Sequence, residues 1–389
     1  MPAASPSLAI PWQYGRPMTS RTIRINESRL QRLLQEMIDI YSPSGKEHEV
    51  ITYCADQLKD NGISFVLQEV DEQRWNLIVM PEKHDEVDLC FVGHVDTVAA
   101  HDLDDYGCKI EGDEVRGLGS ADMKSGCAAM LEACIALREA GLNPPLALAL
   151  VVDEEENNAG ARALVGEYHF PWAIVGEPTG LLPCLGHYGY MEVYLRTRGR
   201  RAHSAVPELG TNAIEAMLRV LLDVTDFAAS EGSRLVYNIR EMSGLPAGFV
   251  VPDLCEAWLD FHLPPDMRVD SLKTDLERIA SAHSQNSRDM DLYMRFEDTY
   301  AGYDISAERT FVRQLRTVFE SLSLEWSPQQ FRSHSDGNVL WAAGIDPIVL
   351  GPGRLDSAHT EDESVVFSDV VTAARLYASV AESLGRGTR

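Results

Sequence analysis

Two histidines and several carboxylates sit where the chain either ends an apolar run or turns sharply, and their types suggest hydrolytic metal chemistry. His94 and Asp96 lie in "GHVDTV" (93–98), Asp122 in "GLGSADMKSG" (117–126), and Glu154 and Glu155 in "DEEENNAGA" (153–161). Glu177 lies in "GEPTG" (176–180) and His359 in "GPGRLDSAHTEDES" (351–364). Each has an ordinary explanation when taken alone: an HxD pair arises by chance among eleven histidines, an Asp before a helix is a cap, and a loop His is solvated. Jointly, His94, Asp122, Glu155, Glu177 and His359 make a mixed imidazole and carboxylate set without thiolate, the kind that holds two hydrolytic zinc ions roughly 3.5–4 Å apart. Adjacent carboxylates at a strand end also permit a division of labour, one binding metal while its neighbour moves the proton of an attacking water.

Competing chemistries are weaker. "GLGSAD" has Asp122 where a dinucleotide fingerprint needs its third Gly, and Lys124-Ser125 follow Met123 rather than the Gly of a P-loop. With 34 basic against 60 acidic residues, the formal charge of -26 repels a phosphate backbone, so nucleic acid is not an expected partner. The seven cysteines are odd in number, scattered and never spaced CxxC, which argues against a disulfide framework or thiolate zinc site and suits a reducing cytoplasm. No apolar run approaches a membrane span, and residues 1–22 read as a mobile leader without signal-peptide character, with Met18 an alternative start.

The elements that must position these groups follow from periodicity. An amphipathic helix begins after Asn26 and stops before Pro43, and a second closes at Gly62. "ISFVLQEV" and "WNLIVMP" read as strands, and "VDLCFVGHV" and "LALALVV" as strands buried on both faces; between the last two, "MKSGCAAMLEACIALREAG" reads as a helix. Such alternation predicts an α/β layer with a mostly parallel central sheet, whose functional groups collect at the carboxyl ends of its strands. From about residue 182 the order becomes βαββαβ, which predicts an inserted α+β, ferredoxin-like unit. The expected division is a catalytic domain over 23–181 and 297–389 and a lid over 182–296.

These ordered motifs, together with "AHSAVPELGTNAI" (202–214), resemble the dizinc amidohydrolase and exopeptidase family of acetylornithine deacetylase, succinyl-diaminopimelate desuccinylase, aminoacylase and glutamate carboxypeptidase. The resemblance implies an exopeptidase-like catalytic domain, a lid that also dimerises, and two Zn2+ per subunit, with Co2+ able to substitute. It implies that His94 and Glu177 bind one zinc, Glu155 and His359 the other, and that Asp122 bridges them. Asp96 would orient His94, Glu154 would act as general base, and His203, from the partner subunit of a homodimer, would stabilise the oxyanion.

Two positions depart from the family's pattern. Phe249 and His262 stand where relatives often carry an Asn and an Arg that hold the substrate's carboxylate, and His cannot replace the planar, permanently charged fork of Arg. "SHSDGN" (333–338) places Asp336 at a usual acidic position without revealing its task. The expected activity is hydrolysis of the amide bond of an N-acyl amino acid, deacetylase-like ahead of desuccinylase-like; the alternative is a metallo-exopeptidase cutting di- or tripeptides or acting as a carboxypeptidase. A metal-binding scaffold without catalysis is disfavoured because it has no use for the Glu154 proton shuttle.

Overall fold

A computed structural model describes residues 23–82, 84, 86–244, 248–286 and 290–384; the leader expected over 1–22 lies outside the described residues. The first helix, Glu27–Asp39, starts where the Asn26 side chain accepts the Arg29 N–H, and it buries Leu30, Leu33, Leu34, Met37 and Ile38 on one stripe. That stripe packs against helix Lys124–Glu139, most of whose residues are buried. Arg29 ties the two helices together through a bidentate pair with the fully buried Glu132.

Among the described residues the large unit is a nine-stranded sheet with a parallel centre, as expected. Strands Leu146–Val151, Leu89–His94, Trp172–Val175 and Asp346–Val349 run parallel in that spatial order. Arg74–Val79 and Val66–Asp71 extend it antiparallel on one side. The central strands are buried along their whole length because helices cover both faces, which is why they read as unbroken apolar runs rather than alternating ones. Their carboxyl ends converge on one edge, and that edge carries the candidate site.

A four-stranded antiparallel sheet forms the lid, in the order Val236–Gly244, Leu254–Leu263, Gly189–Arg198, Asp291–Tyr300. Helices Ala213–Ser230 and Val269–Asn286 pack on it. Met191, Val193 and Leu195 alternate inward with Leu259, Phe261 and Leu263 to form a separate core. The opposite face bears Tyr190, Glu192, Trp258, Asp260 and His262, and Tyr190, Asp260 and His262 line the cavity shared with the catalytic unit.

The stretch "CLGHYGYMEVYLRTRG", read from sequence as one strand, is two. Cys184–His187 pairs within the large sheet, whereas Gly189–Arg198 belongs to the lid, so the chain changes layers at Tyr188. It returns between Tyr300 and the short strand Tyr303–Asp304. The two crossing segments touch so closely that a Cβ on Gly189 would lie 2.6 Å from the Tyr300 carbonyl oxygen, which requires glycine there. The layer change therefore falls several residues later than the expected boundary at 182. Sequence reading also overlooked short elements: helix Ala159–Glu167, helix Asp336–Ala342, and the three-stranded sheet of Lys109–Glu111, Glu114–Arg116 and Ser364–Val366. These segments are too short for a periodic signal and are held by tertiary contacts.

Candidate metal centre

Apart from Asp122, each candidate ligand projects from the carboxyl end of a parallel strand or from the loop that follows one. His94 closes strand Leu89–His94, Glu154 and Glu155 follow Leu146–Val151, and Glu177 follows Trp172–Val175. His359 hangs from the loop after Asp346–Val349 with a left-handed backbone, φ 59°. Asp122 precedes helix Lys124–Glu139, whose first turn presses against the end of strand Trp172–Val175: a Cβ on Gly126 would lie 2.2 Å from the Gly176 carbonyl oxygen. That contact brings Asp122 and Glu177 together, and only glycine allows it.

Asp122 stands between the two imidazoles. Its Oδ1 is 3.3 Å from His94 Nε2, and its Oδ2 is 3.5 Å from His359 Nε2. Glu177 Oε1 lies 3.6 Å from His94 Nε2, and Glu155 Oε1 lies 3.1 Å from His359 Nε2. Ligand-type atoms thus cluster as His94, Asp122 and Glu177 on one side and Asp122, Glu155 and His359 on the other; His94, Glu154 and Glu155 form a third grouping. Nδ1 of His94 lies 3.0 Å from the Asp96 carbonyl, which can only accept, so Nδ1 donates there and Nε2 is the ring nitrogen that faces the carboxylates.

Electrostatically the cluster sets several buried carboxylates against two imidazoles. Burial, with like charges from Asp122 and Glu154, pushes the Glu177 carboxyl well above the usual range. Burial likewise pushes Glu154 and Glu155 up. For His94, burial opposes charging, but Glu177, Asp122, Asp96 and Glu154 outweigh it and hold the imidazole well above its ordinary pKa. The hydrogen bond to Glu155 lifts His359 to about 9. The buried Glu177 Oε1 has no hydrogen-bond partner among the described residues. Oxygen and imidazole donors surrounding an uncompensated negative charge fit divalent cations of borderline hardness.

The other expected residues divide. The Asp96 carboxylate lies 3.6 Å from His94 Nδ1, and its two oxygens accept the N–H groups of Glu154 and Glu155 at 3.2 and 3.1 Å and the Ser44 hydroxyl at 2.8 Å. Asp96 thus holds the turn that presents the adjacent carboxylates as well as bordering His94. Glu154 is nearly buried, with Oε2 3.8 Å from His94 Nε2. His203 is exposed, paired by backbone with Val250, and does not line the cavity in its own chain. Phe249 is 85% exposed and likewise outside it, whereas His262 lines it. The cavity, of about 360 Å3, is bounded by Asp122, Glu154, Glu155, Glu177 and His359 below and by Tyr190, Arg240, Asp260 and His262 of the lid above.

Glu363 escaped the sequence reading. Almost wholly buried, it accepts the N–H groups of Gly119, Ala121 and Asp122, each at 2.9 Å, clamping the loop that carries Asp122 to the loop that carries His359. Its only sequence signal was an acidic residue four positions after His359, in a run of acids that reads as solvated. Glu363→Ala is expected to weaken metal affinity by about 10–100-fold while leaving every ligand in place; competition against a chromogenic chelator would measure it, and unchanged affinity would count against the clamp.

The fold and this cluster together define a metal-dependent hydrolase. The family model described as "Peptidase family M20/M25/M40" matches residues 90–383. The chain belongs to that family. It is 26% identical to a probable carboxypeptidase of Aspergillus terreus, over 92% of this chain and 87% of that protein. It is also 26% identical to the acetylornithine deacetylase of Vibrio vulnificus, over 82% of this chain and 86% of that one. In fold it resembles a tripeptidase from Staphylococcus aureus, with TM-score 0.77 and 21% identity over 93% of this chain and 99% of that chain. Among the described residues no helix is long and apolar enough to cross a membrane.

Proposed function

We propose that this protein hydrolyses the amide bond of a small N-acyl amino acid, releasing a carboxylate and a free amino acid, with a deacetylase-like substrate ahead of a succinylated one. The observation that carries the reading is Asp122, whose two oxygens face His94 and His359 while Glu154 stands beside them on the same cavity. Two zinc ions per subunit are the proposed cofactor: His94 and Glu177 would hold one, Glu155 and His359 the other, and Asp122 both. Divalent cations held there supply Lewis acidity, polarising the scissile carbonyl and lowering the pKa of water toward neutrality.

Glu154 then takes the proton of the attacking water and delivers it to the leaving amine. Asp96 keeps Glu154 aimed through the backbone bond at 3.2 Å. The lid closes the cavity from above and limits water around the reacting amide. The relatives' names divide between deacetylase, carboxypeptidase and tripeptidase, so the second reading is a metallo-exopeptidase using the same residues. Initial rates of zinc-loaded protein on N-acetyl-ornithine, N-succinyl-diaminopimelate and small dipeptides, against a chelated control, separate the two. Cleavage confined to dipeptides would overturn the first reading.

His203 is proposed as the oxyanion donor to the partner subunit of a homodimer, which accounts for its exposure and its distance from its own cavity. His203→Ala is expected to lower kcat by about 100–1,000-fold with KM little changed. Mixing and reassembling inactive His203→Ala and Glu154→Ala subunits should restore about a quarter of wild-type activity, because half the dimers then hold one intact composite site of two. No recovery on mixing would remove the assignment in trans. All seven cysteines are unpaired, which favours a cytoplasmic location.

A further inference from the structure

The lid wall of the cavity carries an electrostatic pattern that narrows the substrate. In the antiparallel register Glu192 stands directly opposite Asp260, and Tyr190 opposite His262. Like charges directly opposed across strands repel, yet a single guanidinium serves both: Arg240 Nη1 lies 2.8 Å from Glu192 Oε1 and 3.3 Å from Asp260 Oδ1. Arg240 sits over the Trp258 ring at 5.6 Å, which fixes its direction. Glu192 has further donors in Arg240 Nη2 and the Tyr190 hydroxyl. Asp260 is matched less fully: Asn238 Nδ2 reaches its Oδ2 only at 3.4 Å, the residue is 8% exposed, and its Oδ1 accepts no hydrogen bond among the described residues. Burial raises its carboxyl pKa, the expected result when a negative charge is incompletely matched.

Among the described residues Arg240 is the cation paired with it. His262, on the same strand, is held neutral by burial, with its pKa pushed down to about 4, and its buried Nδ1 also lacks a partner. The wall therefore presents two carboxylates, one guanidinium and a neutral imidazole. A carboxylate brought against it would meet net negative charge, whereas a donor-bearing cation would supply the missing partner.

Building on the amide-hydrolase reading, we propose that Asp260, backed by Glu192, receives a cationic substrate side chain: a primary ammonium on a short aliphatic stem. His262, standing where an Arg would clamp a carboxylate, belongs to the same design, because it removes the positive charge that would repel that ammonium. Arg240 bridges the two carboxylates rather than serving as the substrate clamp.

The test uses three amino acids that share their α groups and differ at the end of the side chain: ornithine, norvaline and glutamate. Each is titrated calorimetrically into the full-length, zinc-loaded protein. Ornithine is expected to bind about tenfold or more tighter than norvaline, the usual size of a charge-assisted hydrogen bond, with glutamate weakest. Asp260→Asn should collapse the ornithine-to-norvaline ratio to within about twofold, and Glu192→Gln should reduce it in the same direction if the first variant folds poorly. Equal or tighter binding of norvaline or glutamate, no measurable ornithine binding, or an unchanged ratio in a folded variant overturns the proposal. None of the three ligands has a scissile bond. Failure to cleave acylated substrates would therefore sink the amide-hydrolase reading without altering these ratios.

Discussion

Glu154→Ala should abolish nearly all turnover, by about 100–10,000-fold in kcat, while the protein keeps its metal and its melting temperature. The physical reasons lie in its surroundings. Burial, aided by Glu155, Asp336 and Asp122, pushes the Glu154 carboxyl well above the ordinary range, against the opposing pull of His94. A group poised in that way can both accept a proton from water and release it to an amine. Its backbone N–H is held by Asp96, and its side-chain Oε2 comes no nearer to His94 Nε2 than 3.8 Å. Steady-state rates with metal analysis by mass spectrometry would check the expectation. Persisting turnover at wild-type metal content would exclude Glu154 as the base.

Asp122→Ala is expected to be at least as damaging and to fail differently. Asp122 places one oxygen within 3.3 Å of His94 Nε2 and the other within 3.5 Å of His359 Nε2, so its removal takes away the carboxylate common to the two ligand groups. Metal content should fall, activity should drop below about a thousandth of wild type, and added zinc should not restore it, since the site's geometry rather than its occupancy is lost. Asp122→Glu, which keeps the charge but shifts the oxygens, should retain part of the metal and little of the rate. Full metal content in Asp122→Ala would contradict the bridging role. Measured side by side, the variants separate a residue that moves protons from one that holds cations.

The side chains that cluster at the cavity were legible because they sit in short, local contexts that carry their own signature. An apolar run ending in His94 and another ending before Glu154 mark strand ends in a parallel sheet, and groups there share one edge by the topology of the fold. Helix boundaries were legible for a similar reason: Asn26, Pro43 and Gly62 act on their immediate neighbours. The lid's order of elements followed from a change of period, although the layer change at Tyr188 was hidden inside one alternating run, since both flanking strands have the same pattern.

Residues whose roles depend on distant partners were not legible. Glu363 reads as a solvated acid until the fold carries it to N–H groups more than 240 positions away. Asp96 reads as a companion of His94 until the turn after strand Leu146–Val151 delivers two further N–H groups to it. Arg240 and Asp260 come together only when three lid strands align them over the cavity.

By itself the sequence determined the chemical repertoire of this protein, the two-layer class of its catalytic unit and the insertion of a second one, because side-chain type and periodicity are local properties. Tertiary structure alone decided which oxygen of Asp122 meets which imidazole, which acids are clamps rather than solvated charges, and what charge the lid presents to a substrate. Those are matters of ångströms and of burial, and burial is created only when segments far apart in the chain exclude water from one another.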